Sequence, residues 1–214
     1  YGVFAPAVTQ LFPDGSVINL YPTDFNEVPV MLAAAMKTDR PIIALHLTRP
    51  PIVVPDRGAL GIEPYAAAAR GAYLIRDFDA GRPRQGTIIV SGTISTSNVI
   101  KALPEISRRG LNVKIVAGVS PELFRLQDPA YQDRILPLAD FIDSTVITNM
   151  SRRAMYDWLG SAISKQFAMT ADFDNQWRTG GRLDEIAEEA RLSPEWILEG
   201  IERFVNGRRK LTLT

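Results

Sequence analysis

The chain has no cysteine. That excludes a disulfide framework, a thiol nucleophile and any Cys-ligated metal site. It has one histidine, His46, so a His–His metal pair is excluded, and no Ser-His-Asp order stands out. No apolar run reaches the ~18 residues expected of a transmembrane helix, and no signal peptide is recognisable. Neither sign of charge dominates, with 24 basic against 24 acidic residues. Nothing in that balance calls for nucleic acid or an anionic membrane as partner. There is no solenoid-type repeat and no low-complexity tract. What is present suffices for a core: 214 residues, 46% of them hydrophobic, long for one domain and short for two full ones. A start at Tyr1 without methionine suits a fragment or a processed product.

The stretch from Thr87 to Gly118 organises the rest. It opens with TIIVSGT, β-branched and apolar, as for a strand buried on both faces. Val99, Ile100, Leu103 and Ile106 then recur near helical spacing. Gly110 stops that helix, with Arg108 and Arg109 in its last turn. NVKIVAG is the next strand, and the whole reads as a right-handed βαβ unit. A second such unit is predicted over 17–48: a strand at SVINLY, a helix over Val28–Met36 that is apolar nearly all round and so buried, and a strand at PIIALHLTR. Asp24 with Glu27 fits a capping box at its helix start. Two strands are too few for a sheet of their own.

The first fifteen residues read as irregular, and 51–71 as a Pro/Gly-rich linker. After an edge strand at YLIRDF and the βαβ unit, the pattern predicts a short helix at SPELFRLQ and another short helix or a turn at DPAYQDRILP. It then predicts a strand at DFIDSTVITN, one helix over SRRAMYDWLGSAIS and a strand at FAMTADF. Helices at RLDEIAEEARL and SPEWILEGIERFV follow, then a basic tail. The fold class is α/β: a three-layer α/β/α C-terminal domain over 72–207 with a mostly parallel open sheet, preceded by a partial α/β segment.

Candidate chemistry is sparse. The turn Ser91–Ser95 lies at the carboxyl end of a parallel strand and at a helix N-terminus, where α/β sheets take ligands and amides favour anions. It lacks the G-x-G-x-x-G spacing and fits a plain capped turn equally. His46 alternates with Leu45 and Leu47, as a structural or a catalytic residue would. Arg49 ends its strand and suits a phosphate or the surface. Asp172 and Asp174 are either a carboxylate pair or a turn. Asp184, Glu185, Glu188 and Glu189 read as a solvated helix face. Trp158, Trp177 and Trp196 fit core or interface better than a stacking platform.

TDFNEVPVMLAAAMKTDRPIIALHLTRP, then GAYLIRDF, then GTIIVSGTISTSNVIKAL form an ordered series that resembles the back half of a transketolase. Asp24, Asn26 and Glu27 match that family's helix start. Thr48-Arg49 matches its Ser-Arg strand end, and Gly71, Ala72 and Tyr73 match the opening of its C-terminal domain. Two places depart from the pattern. Ser91 to Ser95 stands where Thr-Gly-Ser-Glu is usual, and Phe173 to Gly181 lacks the usual proline.

The resemblance implies that 1–50 closes a pyrimidine-binding middle domain, 51–71 is a linker, 72–207 is the C-terminal domain and 208–214 a tail. It implies two-carbon ketol transfer between sugar phosphates, with Arg49 on the substrate phosphate and His46 and Thr48 as its neighbours. Thiamine diphosphate and Mg2+ or Ca2+ would serve the whole enzyme, none being expected on this segment, which alone is inactive. A cytoplasmic homodimer, or pairing with an upstream N-terminal half, is expected, with neither nucleic acid nor membrane as partner. The alternative is a non-catalytic assembly or regulatory domain of another thiamine-diphosphate enzyme, such as deoxyxylulose-phosphate synthase or an oxoacid dehydrogenase β subunit. A free-standing nucleotide binder using Ser91–Ser95 is a further alternative.

Overall fold

The computed structural model describes residues 3–178 and 180–211. Strand β1 (Val17–Leu20) pairs in parallel with β2 (Ile42–Leu45), Val17 opposite Ile42 and Leu20 opposite Leu45. Helix α1 (Glu27–Ala35) makes the crossover. It does not bury all round: the stripe Glu27, Met31 and Ala35 is fully buried, Val30, Leu32 and Ala34 are half-buried against the core, and Met36 beyond them is exposed. The helix packs on β1 and on the segment Tyr65–Arg70, which leaves Pro29, Ala33 and Met36 to solvent.

The stretch 51–71 is structured. It carries α2 (Arg57–Leu60) and a 3₁₀ segment, Tyr65–Arg70, that packs on α1. The N-terminal stretch predicted irregular contains a 3₁₀ helix, Ala5–Leu11.

The second sheet has the order β3-β5-β4-β6-β7: β3 (Ala72–Arg76), β4 (Thr87–Ser91), β5 (Lys114–Gly118), β6 (Ser144–Thr148) and β7 (Met169–Thr170). β3 is an antiparallel edge and the other pairings are parallel. The βαβ unit forms as its pattern predicts, with α3 (Thr93–Arg108) between β4 and β5 and Gly110 at positive φ behind the helix.

Every residue of β4 is buried, because both faces are covered. Ile88 and Val90 share a core with Val99, Ile106, Ile201 and Phe204, from α3 and α9 (Pro194–Leu211). Ile89 joins Val116, Val146, Tyr131, Met155 and Trp158 on the other face. Helices α4 (Pro121–Arg125) and α5 (Pro129–Ile135) start on Ser120 and Asp128, whose side chains accept from the amides of Leu123 and Tyr131.

Three boundaries differ from the sequence pattern. The strand predicted from Asp140 begins at Ser144, because Leu138–Ile142 forms helix α6 and turns Asp140 onto Lys114 at 2.8 Å. The single helix predicted over 151–164 is broken into a 3₁₀ segment, Arg152–Trp158, and α7 (Ala162–Gln166). Gly160 at the break lies so close to Phe141 that a Cβ would sit 2.3 Å from its carbonyl oxygen, and Ser161 caps the new helix on Ser164 N. The strand predicted over 167–173 shrinks to β7.

Helix α8 (Leu183–Glu189) precedes α9. Pro194 opens α9, but the buried Ser193 hydroxyl makes no cap bond. α9 runs on to Leu211, with Arg208 buried against Asp143 and the Arg84 carbonyl; residues 212–214 of the predicted tail lie outside the described residues.

The two sheets are tied together. Tyr21 N donates to Val119 O at 2.8 Å, Thr93 Oγ1 to Pro22 O at 2.8 Å, and Asn19 N to Glu122 Oε2 at 3.1 Å.

Candidate functional site

A cleft of about 450 Å³ opens between the two sheets, at the carboxyl ends of β2, β4 and β6. The chain leaving β2 brings His46, Thr48 and Arg49 to it. Facing them are the Gly92–Ile94 backbone, Asn149 and an apolar wall from α8 that includes Leu183 and Ile186. Thr48 and His46 are half-buried and Arg49 is exposed. This is the place where open parallel sheets receive ligands, and α3 turns its amino end towards it.

The turn is held tightly. Gly92 sits at φ +90°, and a Cβ there would come 2.4 Å from Asn149 Oδ1. That oxygen accepts from Ser95 N at 3.3 Å, Thr96 Oγ1 donates to the Gly92 carbonyl, and Thr93 Oγ1 is spent on Pro22. Ser91 and Ser95 are buried, and neither lines the cleft. The turn therefore presents backbone, not hydroxyls.

His46 is anchored on three sides. Its backbone N donates to Leu20 O, its ring stacks on Tyr21 with centroids 4.6 Å apart, and Nε2 lies 3.2 Å from Asn19 Oδ1. Burial lowers its pKa from the ordinary histidine value. Asn19 and Glu122, which position it, were not singled out from the sequence. An asparagine between Ile18 and Leu20 in an otherwise apolar buried strand was the available signal.

The acidic candidates separate. Asp172 Oδ1 accepts from Thr170 Oγ1 and Arg152 N, while Asp174 and Glu189 both pair with the buried Arg178. Asp172 and Asp174 thus form a turn and not a carboxylate pair. Glu188 accepts from the indole of Trp196, Trp158 is core, and Trp177 packs edge-on to Phe4 at 4.8 Å.

Behind the first unit lies a buried charge cluster that the sequence did not announce. Arg57 Nη2 contacts Asp24 Oδ2 at 2.7 Å and Glu27 Oε1 at 2.6 Å, and Tyr73 Oη donates to Glu27 Oε1 at 2.6 Å. Thr23 N donates to Glu27 Oε2 at 2.7 Å, so Glu27 caps back onto Thr23, and Asp24 Oδ1 takes the amide of Asn26. Burial pushes the Glu27 carboxyl up from its ordinary value; Arg57, Tyr73 and the Thr23 amide oppose the push.

Among the described residues no three His, Cys, Asp or Glu side chains converge as a metal would need, and no helix is long and apolar enough to cross a membrane.

No protein-family model matches the chain. In sequence it is similar to the transketolase of Geobacillus stearothermophilus, 30% identical over 134 residues, which is 62% of this chain and 19% of that protein. In fold it is similar to a transketolase of Pichia stipitis solved in complex with xylulose 5-phosphate. The TM-score is 0.73 at 18% identity, covering 98% of this chain and 28% of that one. A protein described as a split-gene transketolase, inactive β4 tetramer, has TM-score 0.57 at 11% identity, covering 96% of this chain and 62% of that one. By sequence and by fold together the chain resembles the C-terminal portion of a transketolase. It spans about a fifth of the length of the curated relative.

Proposed function

We propose that the chain is the C-terminal portion of a transketolase-like, thiamine-diphosphate-dependent transferase that moves two-carbon ketol units between sugar phosphates. In this assignment 1–50 closes the middle domain and 51–71 joins it to the C-terminal domain, which begins at residue 72 and whose last helix, α9, runs on past 207 to Leu211. The observation that carries the proposal is the cleft that gathers His46, Thr48 and Arg49 opposite the amino end of α3. A cationic fork beside backbone amides suits a phosphate.

The cofactor and its metal belong in this proposal to the upstream part of the enzyme, and this segment alone is inactive. Its task is to bind and orient substrate and to support assembly. The split-gene transketolase of similar fold, described as an inactive tetramer, supports a chain that needs a partner. The assembly is a homodimer or a pair with the upstream half, and it is placed in the cytoplasm.

Calorimetric titration of thiamine diphosphate and Mg2+ into this chain, with and without the polypeptide encoded upstream, tests the proposal. Binding only in the mixture supports it, and ketol transfer is assayed next. Binding to neither favours a non-catalytic assembly domain. Binding to this chain alone refutes the placement of the cofactor.

A further inference from the structure

The environment of His46 fixes more than its position. Glu122 offers only acceptors: Oε2 takes the backbone N of Asn19 at 3.1 Å and Oε1 takes Asn19 Nδ2 at 2.8 Å. Asn19 is thereby oriented with its amide nitrogen towards Glu122 and its oxygen towards His46, because the reverse would set two acceptors against each other. Thr9 Oγ1 lies 2.5 Å from Asn19 Oδ1 and 2.8 Å from Pro6 O and has one proton to share between them, so the orientation of Asn19 rests on Glu122. An oxygen facing His46 Nε2 at 3.2 Å requires that nitrogen to carry the proton. The other ring nitrogen, Nδ1, is then the acceptor. The stacked Tyr21 ring and the bond to Asn19 hold the imidazole in place at the lining of the cleft.

We propose, resting on the assignment of the cleft to a sugar phosphate, that His46 is the residue that recognises a ligand hydroxyl there: it is held as the Nε2–H tautomer, and Nδ1 accepts a hydrogen bond from a hydroxyl of a phosphorylated polyol whose phosphate meets Arg49. Arg49 thus reads the charge, and His46 reads the hydroxylated chain beside it. An imidazole with Nδ1 free as acceptor distinguishes a sugar phosphate from a bare phosphate, which has no hydroxyl carbon skeleton to offer at the same time. Arg49, three residues on, and Arg178 line the same cleft, and Glu122 is reached through Asn19.

His46 is the only histidine, so its ring nitrogens are read by imidazole 15N NMR on the full chain without assignment. At neutral pH the spectrum should show a neutral ring protonated on Nε2. Xylulose 5-phosphate should move the Nδ1 resonance and the Arg49 guanidinium signals together. Inorganic phosphate should move Arg49 alone. His46→Asn, which sets an amide oxygen near the Nδ1 position, should keep most of the affinity for xylulose 5-phosphate. His46→Gln should lose about fivefold, as for one neutral hydrogen bond. A ring protonated on Nδ1 overturns the proposal. So does an imidazole that ignores xylulose 5-phosphate, or one that responds equally to inorganic phosphate. If Arg49 responds and His46 does not, the phosphate site stands and this inference falls; if neither responds, both fall.

Discussion

Arg57 and Glu27 are thirty positions apart in the chain and 2.6 Å apart in space, with Glu27 wholly shielded from solvent. One guanidinium answers two carboxylates, those of Asp24 and Glu27, and lies 4.8 Å over the ring of Tyr65 and 5.1 Å over that of Tyr73. The join between the first unit and the C-terminal sheet is thus polar at its centre. Arg57→Met should destabilise the chain by about 3–5 kcal/mol, because it leaves buried negative charge without its partner. Glu27→Gln on top of it should cost far less than it does alone, since Glu27 has by then already lost the guanidinium that answered it, while Asp24 stays charged. Urea unfolding of the two single variants and the double variant measures this. A loss below about 1 kcal/mol for Arg57→Met would show the cluster to be hydrated.

Gly71, where the chain enters the second sheet, has φ +84°, and a Cβ there would lie 2.3 Å from both Phe124 N and Ser120 O. Its carbonyl takes the amides of Val119 and Ser120. Gly61 shares the left-handed conformation at φ +67° but has nothing within 4 Å of the same position. Gly61→Ala should therefore cost only the backbone term, about 1 kcal/mol. Gly71→Ala should cost about 3 kcal/mol or more, a fall in melting temperature on the order of 10 °C for a chain of this size. Equal losses in the two variants would refute the close approach.

His46 also leaves a mark on pH dependence. Its folded pKa is depressed by burial, so the unfolded chain binds the proton more readily. Stability from this group is fully present above the unfolded value, near 6.5. It is lost as pH falls through the folded pKa, with a slope of at most about 1.4 kcal/mol per pH unit. Comparing unfolding free energies from pH 7.5 down to 5 for the parent and His46→Gln isolates the term. The difference should shrink towards acid, and a constant difference would contradict a buried neutral ring.

Arg49→Ala bears on the cleft itself. With the upstream polypeptide supplied, KM for xylulose 5-phosphate should rise roughly ten- to hundredfold, corresponding to about 1.5–3 kcal/mol for a charge-assisted contact. An unchanged KM would assign the chain to assembly alone.

Much of this molecule is decided locally, and that part was open to reading. Residues 87–118 carry their own periodicities and stop signals, so strand, helix and strand appear where the pattern predicts them. The caps at Ser120 and Asp128 act within three residues. The breaks at Gly160 and before Ser144 could not be read the same way, since the groups met there, the Phe141 carbonyl and the Lys114 ammonium, come from elsewhere in the chain.

The same division holds at the cleft. The residue types at 46–49 and their place at a strand end follow from the sequence. That they face Gly92, Asn149 and α8 is tertiary, as is the line from Glu122 through Asn19 that sets the proton on His46. By itself the sequence determined an α/β chain with a buried βαβ centre, because hydrophobic period and capping are short-range. The packing of two sheets against each other decided the buried Arg57 cluster and the cleft. Charge pairing and desolvation act through space, between residues that no local pattern connects.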